Sequence, residues 1–439
     1  MLLENVVIND PVHGYCLANI FINEGLIKDV NILETENIDF RQSDFYVTPG
    51  FVNSHLHPNQ LLDRRLLDNL SITELLHGMH TEYKKTEEDR YFQALFVLMD
   101  AVKSGATTIY SVASNPYSII RAYETCRIKG AVTCFYNDQW EGYGLPPSLA
   151  MINSIEEKFS EAFKKQTEKV RIHIGSASVE SASNDLLLLL NDIACRYKTK
   201  VNIHISEGRD AVQSCIKSRE VSPVRLLAKL GVLSSNWNLV HAVNIDAEEI
   251  DLIAQANARV LHCPVTNAKT GVGVAPIKEL LKKNVTIGLG TDACSNNNTN
   301  NILNEAYFAS LIQMAILSDP KALSIDSVMK WITQNGHEII GTKQKGIISN
   351  GEPADLLLWS LKDNPFVPVP YGNFDSTLVY NAPDIKPHSV IIDGEIVVES
   401  YEFKPLVEEE IKNTANLCGK KIHNFINGST NGANNFIKF

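Results

Sequence analysis

The sequence predicts an α/β protein: a (β/α)₈ barrel of the TIM type with a small β-sandwich domain formed from both chain ends. Three observations carry that expectation. Short apolar strands alternate with amphipathic helical stretches eight times between residues 49 and 344. The strand-rich texture of residues 1–48 returns at 345–405, so one composite β domain is expected from the two flanks. Finally, 439 residues with 44% hydrophobic content suffice for a large packed core.

Taken in order, the first flank reads as the strands ENVVIND, CLANIFINEG and LIKDVNIL, with turn chemistry at Asn9-Asp10-Pro11 and at Glu24-Gly25. The apolar segment YVTPGFVNSH from Tyr46 is expected as the first barrel strand. It is followed by ATTIYSV from Ala106, AVTCFY from Ala131, KVRIHIG from Lys169 and KVNIHIS from Lys200. WNLVHAV from Trp237, ARVLHCP from Ala258 and VTIGLGTD from Val285 complete the eight. Helical stretches such as RYFQALFVLMDAVKSG and DAEEIDLIAQAN separate them. Beyond the barrel, ADLLLWSL from Ala354 and a hairpin around Asp393-Gly394 in SVIIDGEIVVES belong to the β domain. Residues 406–439 read as a C-terminal tail. Its last sixteen, NFINGSTNGANNFIKF, are rich in Asn and Gly and are expected to be loose or packed as a tail.

Composition narrows the partners. Forty basic against 51 acidic side chains leave a formal net charge of −11, which repels phosphate backbones and anionic membranes. No nucleic acid and no membrane partner is therefore expected. Eight cysteines spread thinly over the chain, with no CxxC pair, suit reduced thiols in the cytoplasm. MLLENVVIND has no basic segment ahead of a long apolar run, so no secretory leader is expected, and no stretch approaches the ~18–20 apolar residues of a membrane span.

The chemistry concentrates at strand ends. In GFVNSHLHP, His55 and His57 stand two apart, so on a strand both imidazoles face one side and can reach one metal ion. Alone, such a pair is equally an ordinary surface pair. HISE places His204 and Glu207 at the end of another strand, LVHAV ends on His241, and IGLGTDACSNN carries Asp292 just past a strand. Singly, His204 and His241 read as well as core histidines satisfied by backbone groups. Asp292 reads as a helix cap, and Glu207 as a solvated helix-start carboxylate. In a barrel, however, the C-terminal ends of strands converge on one face. All the bland readings would have to hold together to defeat a metal site.

The order of these motifs, with the GATT of Gly105–Thr108, HCPVTNAKTGVG, TQNGHEIIG and KGIISNGEPADLLLW, resembles the amidohydrolase superfamily. The resemblance runs to about Ser400 and is strongest with the deaminase and chlorohydrolase branch, which includes adenosyl-homocysteine deaminase, guanine deaminase and triazine hydrolases. It implies that His55, His57, His204 and Asp292 hold one divalent ion, Zn²⁺ first and Fe²⁺ second. It implies that Glu207 shuttles a proton to the ring nitrogen, that His241 orients the water, and that Asp292 accepts the water proton. The activity implied is hydrolytic deamination of an amino-substituted heterocycle (purine, pterin, pyrimidine or triazine-like), with ammonia expelled after attack by metal-bound hydroxide. The binuclear branch needs a bridging carboxylated lysine, which KVRIHIGSAS does not offer at its C-terminal end. Barrels of this family are often dimers or larger, so a homo-oligomer is implied.

The chain also departs from its relatives. Ala177 falls where a substrate-contacting histidine is usual, which puts adenosine or homocysteine specificity in doubt. Glu180 adds an acidic contact or is a solvated loop residue, and His173 is given no role. Gln60 and Arg64, in PNQLLDRRLLDN, and Asn267 are candidate substrate contacts. Arg64 is equally a surface residue, and His262 lines the pocket or serves strand packing. His77 and His80 have the i,i+3 spacing of a second metal site or are surface histidines. Asn296–Asn298 are expected to fix the loop after Asp292 through local backbone bonds. Two other functions stand beside deamination: hydrolysis of another leaving group (chloride, alkylamine) or of a cyclic amide, and a non-catalytic scaffold.

Overall fold

The computed structural model describes residues 1–64, 68–70, 85–139 and 149–429. Three strands open the chain as an antiparallel meander, β1 (Leu2–Asp10), β2 (Gly14–Asn23) and β3 (Leu26–Glu34), turning at the two predicted sites. β4 (Phe45–Pro49) pairs in parallel with β1, and β5 (Phe51–His57) begins only one residue later. YVTPGFVNSH is therefore two strands in two different sheets, not the single barrel strand expected from its apolar run. Gly50 is the crossing point. Its N–H donates to the Asp355 carbonyl at 2.8 Å, while Phe51 N–H donates to Gly105 at 3.0 Å. The crossing is so tight that a Cβ on Gly50 would lie 2.1 Å from Thr107 Oγ1.

The barrel continues with β6 (Ala106–Ala113), β7 (Lys129–Phe135), β8 (Val170–Ser178), β9 (Val201–Ile205) and β10 (Trp237–His241). It ends with β11 (Arg259–His262), β12 (Ile287–Leu289) and β13 (Asp292–Ala293). All pairs are parallel, in the order β12-β11-β10-β9-β8-β7-β6-β5-β13. The two ends of that order are neighbours in the chain, separated only by Gly290 and Thr291. The sheet thus closes on itself: VTIGLGTD supplies one broken eighth strand, whose first half pairs with β11 and whose second half pairs with β5. β6, β7 and β10 are buried along their whole length, as strands covered on both faces must be. Helices lie between the strands. The one at Glu87–Lys103 starts with a capping box, in which the Thr86 hydroxyl accepts from Asp89 N–H and the Asp89 carboxylate accepts from Thr86 N–H.

The C-terminal strands β14 (Leu356–Ser360), β15 (Ser389–Ile392), β16 (Glu395–Glu399) and β17 (Glu402–Phe403) complete an eight-stranded sheet, β17-β16-β15-β14-β4-β1-β2-β3. Both chain ends therefore build it, and β15 and β16 form the hairpin expected at Asp393-Gly394. The sheet curls until its halves meet. Ile27 N–H donates to Glu352 O at 2.9 Å, Ala354 N–H donates to Gly25 O at 2.8 Å, and Ile20 and Ile27 share an apolar core with Leu356 and Ile391. Lys129 of β7, only 6% exposed, ties this sheet to the barrel through Asp355 at 2.5 Å and Asp393 at 2.6 Å.

The segment read as a tail opens with a helix, Glu408–Ser429. Its acidic first turn suits the helix dipole. Ile411, Ala415 and Cys418, spaced four and three apart, form its buried stripe. It packs on the helix Glu87–Lys103, where Lys421 reaches Asp89 at 2.9 Å and Lys103 pairs with Glu408. Among the described residues, no helix is long and apolar enough to cross a membrane.

Gly50→Ala forces its methyl into the Thr107 side chain. We expect a loss of about 1–3 kcal/mol, the usual cost of overpacking, read as a lower urea midpoint at unchanged m-value. A variant as stable as the parent would contradict the tight crossing.

Candidate metal centre and active site

Alternation along β5 turns His55 and His57 to the same side, and β9 brings His204 to meet them. The three Nε2 atoms form a triangle with edges of 3.1, 3.1 and 3.3 Å. Asp292 Oδ1 lies 3.5 Å from His55 Nε2 and 3.3 Å from His57 Nε2, and the four ligand atoms all lie within 4.8 Å of one another. The His204 Nδ1–H donates to the Ala177 carbonyl, which leaves its Nε2 lone pair facing the triangle. Lone pairs and a carboxylate converging on one point repel unless a cation sits between them. A tetrahedral zinc with nitrogens at about 2.0–2.1 Å has N···N edges of about 3.3 Å. The donor set and its spacing thus fit a divalent ion.

Burial holds these imidazoles neutral, His204 down to about 4 and His55 and His57 below their ordinary value, as ligation requires. Burial opposes ionisation of Asp292, but its close approach to His55 and His57 outweighs burial and holds the carboxyl well below its usual range. The local backbone is strained. Ser206, His241, Ala242 and Asp292 adopt φ of +49°, +73°, +47° and +58°, left-handed values rarely taken by residues with a side chain. All four sit at the ends of β9, β10 and the broken eighth strand, where the active face forms.

Beside the triangle, His241 is 1% exposed and donates from Nδ1 to Asn267 Oδ1 at 2.9 Å. Its Nε2 is thereby aimed towards Glu207, 3.6 Å from Oε2. Burial, then the charges of Asp292 and Glu180, push the Glu207 carboxyl well above its ordinary value. Glu180 is itself 8% exposed rather than a solvated loop residue.

The side chains suspected of substrate contact are engaged in holding loops. Gln60 accepts from Ser295 Oγ at 3.1 Å, Arg64 donates to the Asn298 carbonyl, and Asn267 orients His241. Of the three asparagines after Asp292, Asn297 bonds the Thr291 backbone at 2.7 Å. Asn296 reaches the Asp292 carboxylate at 3.2 Å, and Asn298 reaches Asp68 at 3.2 Å. Ala177 contributes its carbonyl to His204. His262, 1% exposed, ends β11, and neither ring nitrogen has a partner among the described residues. His173 bonds Thr199 and the Ile340 carbonyl at 3.1 Å, a satisfied core histidine. His77 and His80 lie outside the described residues. Reading single motifs missed Glu305, a fully buried carboxyl bonded to Asn297 and lying thirteen residues past Asp292, where no spacing rule points.

The profile of the amidohydrolase family matches residues 46–397. A 5′-deoxyadenosine deaminase of Methanobrevibacter smithii is 30% identical over 370 residues, covering 83% of each chain. A 5-methylthioadenosine/S-adenosylhomocysteine deaminase of Pyrococcus furiosus is 28% identical over 422 residues, covering 94% of this chain and 98% of its own. Among solved structures, an adenosine deaminase from Xanthomonas campestris with bound zinc superposes with a TM-score of 0.85 at 18% identity, over 96% of this chain and 98% of its own.

Burial holds His173 at about 3, whereas an unfolded histidine titrates near 6.5. Its contribution is therefore whole above pH 6.5 and falls as pH drops, because the unfolded chain takes up a proton that the folded one refuses. The stability advantage over His173→Gln should shrink by roughly 1.4 kcal/mol per pH unit between 6.5 and 4. Urea titrations of both proteins across that range check this; a constant difference would refute it.

Proposed function

The chain belongs to the amidohydrolase family, and from that premise we propose that it is a metal-dependent hydrolytic deaminase releasing ammonia from an amino-substituted heterocycle of the adenosine type. The observation that carries the reading is the convergence of His55, His57, His204 and Asp292 within 4.8 Å, beside a Glu207 whose carboxyl favours its protonated form. Similarity to two adenosine-derivative deaminases over most of the chain supports the substrate class.

His55, His57, His204 and Asp292 would hold a single ion, with zinc the first choice on the imidazole-rich donor set. When bound, that ion supplies Lewis-acid activation of water at neutral pH. Every other step falls to the chain. Glu207, whose carboxyl burial pushes well above its ordinary value, donates to the ring nitrogen and makes the neighbouring carbon electrophilic. Asp292, ionised and anchored by Asn296, accepts the proton of the attacking water. His241 is neutral, since burial holds it at about 4, and with Nδ1–H committed to Asn267 its Nε2 accepts a hydrogen bond that aligns the water. The new bond joins water oxygen to the ring carbon. The bond that breaks joins that carbon to the amino nitrogen, which takes the proton held by Asp292 and leaves as ammonia, while the remaining hydroxyl proton passes to Glu207 as the carbonyl forms and restores its protonated state. A complete ligand set with a tuned acid supports an enzyme over a scaffold. Eight free cysteines support a reducing, cytoplasmic setting.

The test is ammonia release by the zinc-loaded protein from 5′-deoxyadenosine and other aminated purines, with chloride release from a chlorinated triazine as comparison. Glu207→Gln should keep its metal and lose about 10²–10⁴-fold in kcat. The active form carries the proton on Glu207, so activity should fall as pH rises through that group's raised pKa. Chloride release without ammonia release would move the reading to another leaving group.

A further inference from the structure

Glu305 lies in the first turn of the helix Ile302–Leu317 and is 0% exposed. Both carboxyl oxygens are engaged: Oε1 accepts from Asn297 Nδ2 at 2.5 Å and Oε2 accepts from Val265 N–H at 3.2 Å. The same Asn297 amide donates to the Thr291 carbonyl at 2.7 Å, on the peptide that leads into Asp292. From the other side, Asn53 accepts from Thr291 N–H at 3.1 Å and donates to Thr291 Oγ1 at 2.7 Å. Val265 belongs to the short helix Pro264–Lys269, which also carries Asn267, the partner of His241. One carboxyl therefore bridges the segment that sets Asp292 and the segment that sets His241.

A buried carboxyl with no cation bonded to it among the described residues is a costly way to make two hydrogen bonds. Burial pushes it up to about 8 even though Asn297 and Val265 pull it down. We propose that Glu305 is a positioning residue, which holds Asp292 in its left-handed backbone conformation through Asn297 and aligns His241 through the Val265–Asn267 turn. The inference rests on the metal-dependent reading above and deepens it. It assigns to a helix residue the geometry of two groups on different strands.

Glu305→Gln is nearly isosteric, but its amide must turn an NH₂ towards either Asn297 Nδ2 or Val265 N–H, so one link breaks. Co²⁺ is the probe, read by its visible d–d absorption and by titration of the metal-free protein, with no substrate needed. We expect the variant's spectrum to shift and its Co²⁺ affinity to fall about 10-fold, as for partners that orient a ligand. Asn297→Ala should shift the spectrum likewise, and the double variant should be no worse than Asn297→Ala alone, since the two act in series. A spectrum and affinity unchanged in both Glu305→Gln and Asn297→Ala, or losses that multiply in the double variant, would overturn the inference. Failure of the parent protein to bind Co²⁺ would instead strike the metal reading, and the inference with it.

Discussion

The barrel closes through a strand that breaks, and the whole catalytic face depends on that break. β12 runs against β11, the chain kinks at Gly290 and Thr291, and β13 resumes against β5, so Asp292 pairs with Leu56 between the two histidines of the metal pair. An unbroken strand could not place a carboxylate there. Closure is tight, since a Cβ on Gly290 would lie 2.6 Å from the His55 Cβ. The kink costs backbone strain at Asp292, offset by bonds from Asn53 and Asn297 to Thr291.

From that constraint the electrostatics follow. Three imidazoles and a carboxylate converge within 4.8 Å, a donor set that fits a cation, while burial pushes the carboxyl of Glu207, outside that set, well above its ordinary value. Two carboxylates with opposite habits in one pocket are what acid–base chemistry at neutral pH needs. The loops beyond the strand ends hold one another: Gln60 on Ser295, Arg64 on Asn298, Asn267 on His241, Glu305 on Asn297. Their polar side chains act as struts, which fix the groups at the strand ends in place.

Much of this was legible in the sequence, because strand-end chemistry follows a rule: alternation and barrel polarity bring His55, His57, His204, His241 and Asp292 to one face. Side-chain direction in loops follows no such rule. Gln60, Arg64 and Asn267 are candidate substrate contacts by sequence proximity, which could not say that their side chains would bond Ser295, Asn298 and His241. Glu305 was invisible for the same reason, since its partners come from two segments that only the fold joins. The Pro49-Gly50 dipeptide did carry a turn signal, overridden by the continuous apolar run around it. In the C-terminal helix, the Ile411–Ala415–Cys418 stripe was masked by the Asn- and Gly-rich stretch that follows.

On the reading proposed above, one divalent ion held by these four side chains makes the chain a deaminase. That reading is tested most directly by titrating metal-free protein with Zn²⁺ while following ammonia release from 5′-deoxyadenosine. Activity should rise from zero and saturate at one equivalent per chain, with no rise in Asp292→Asn. Activity in the metal-free protein, or saturation only at two equivalents, would contradict it.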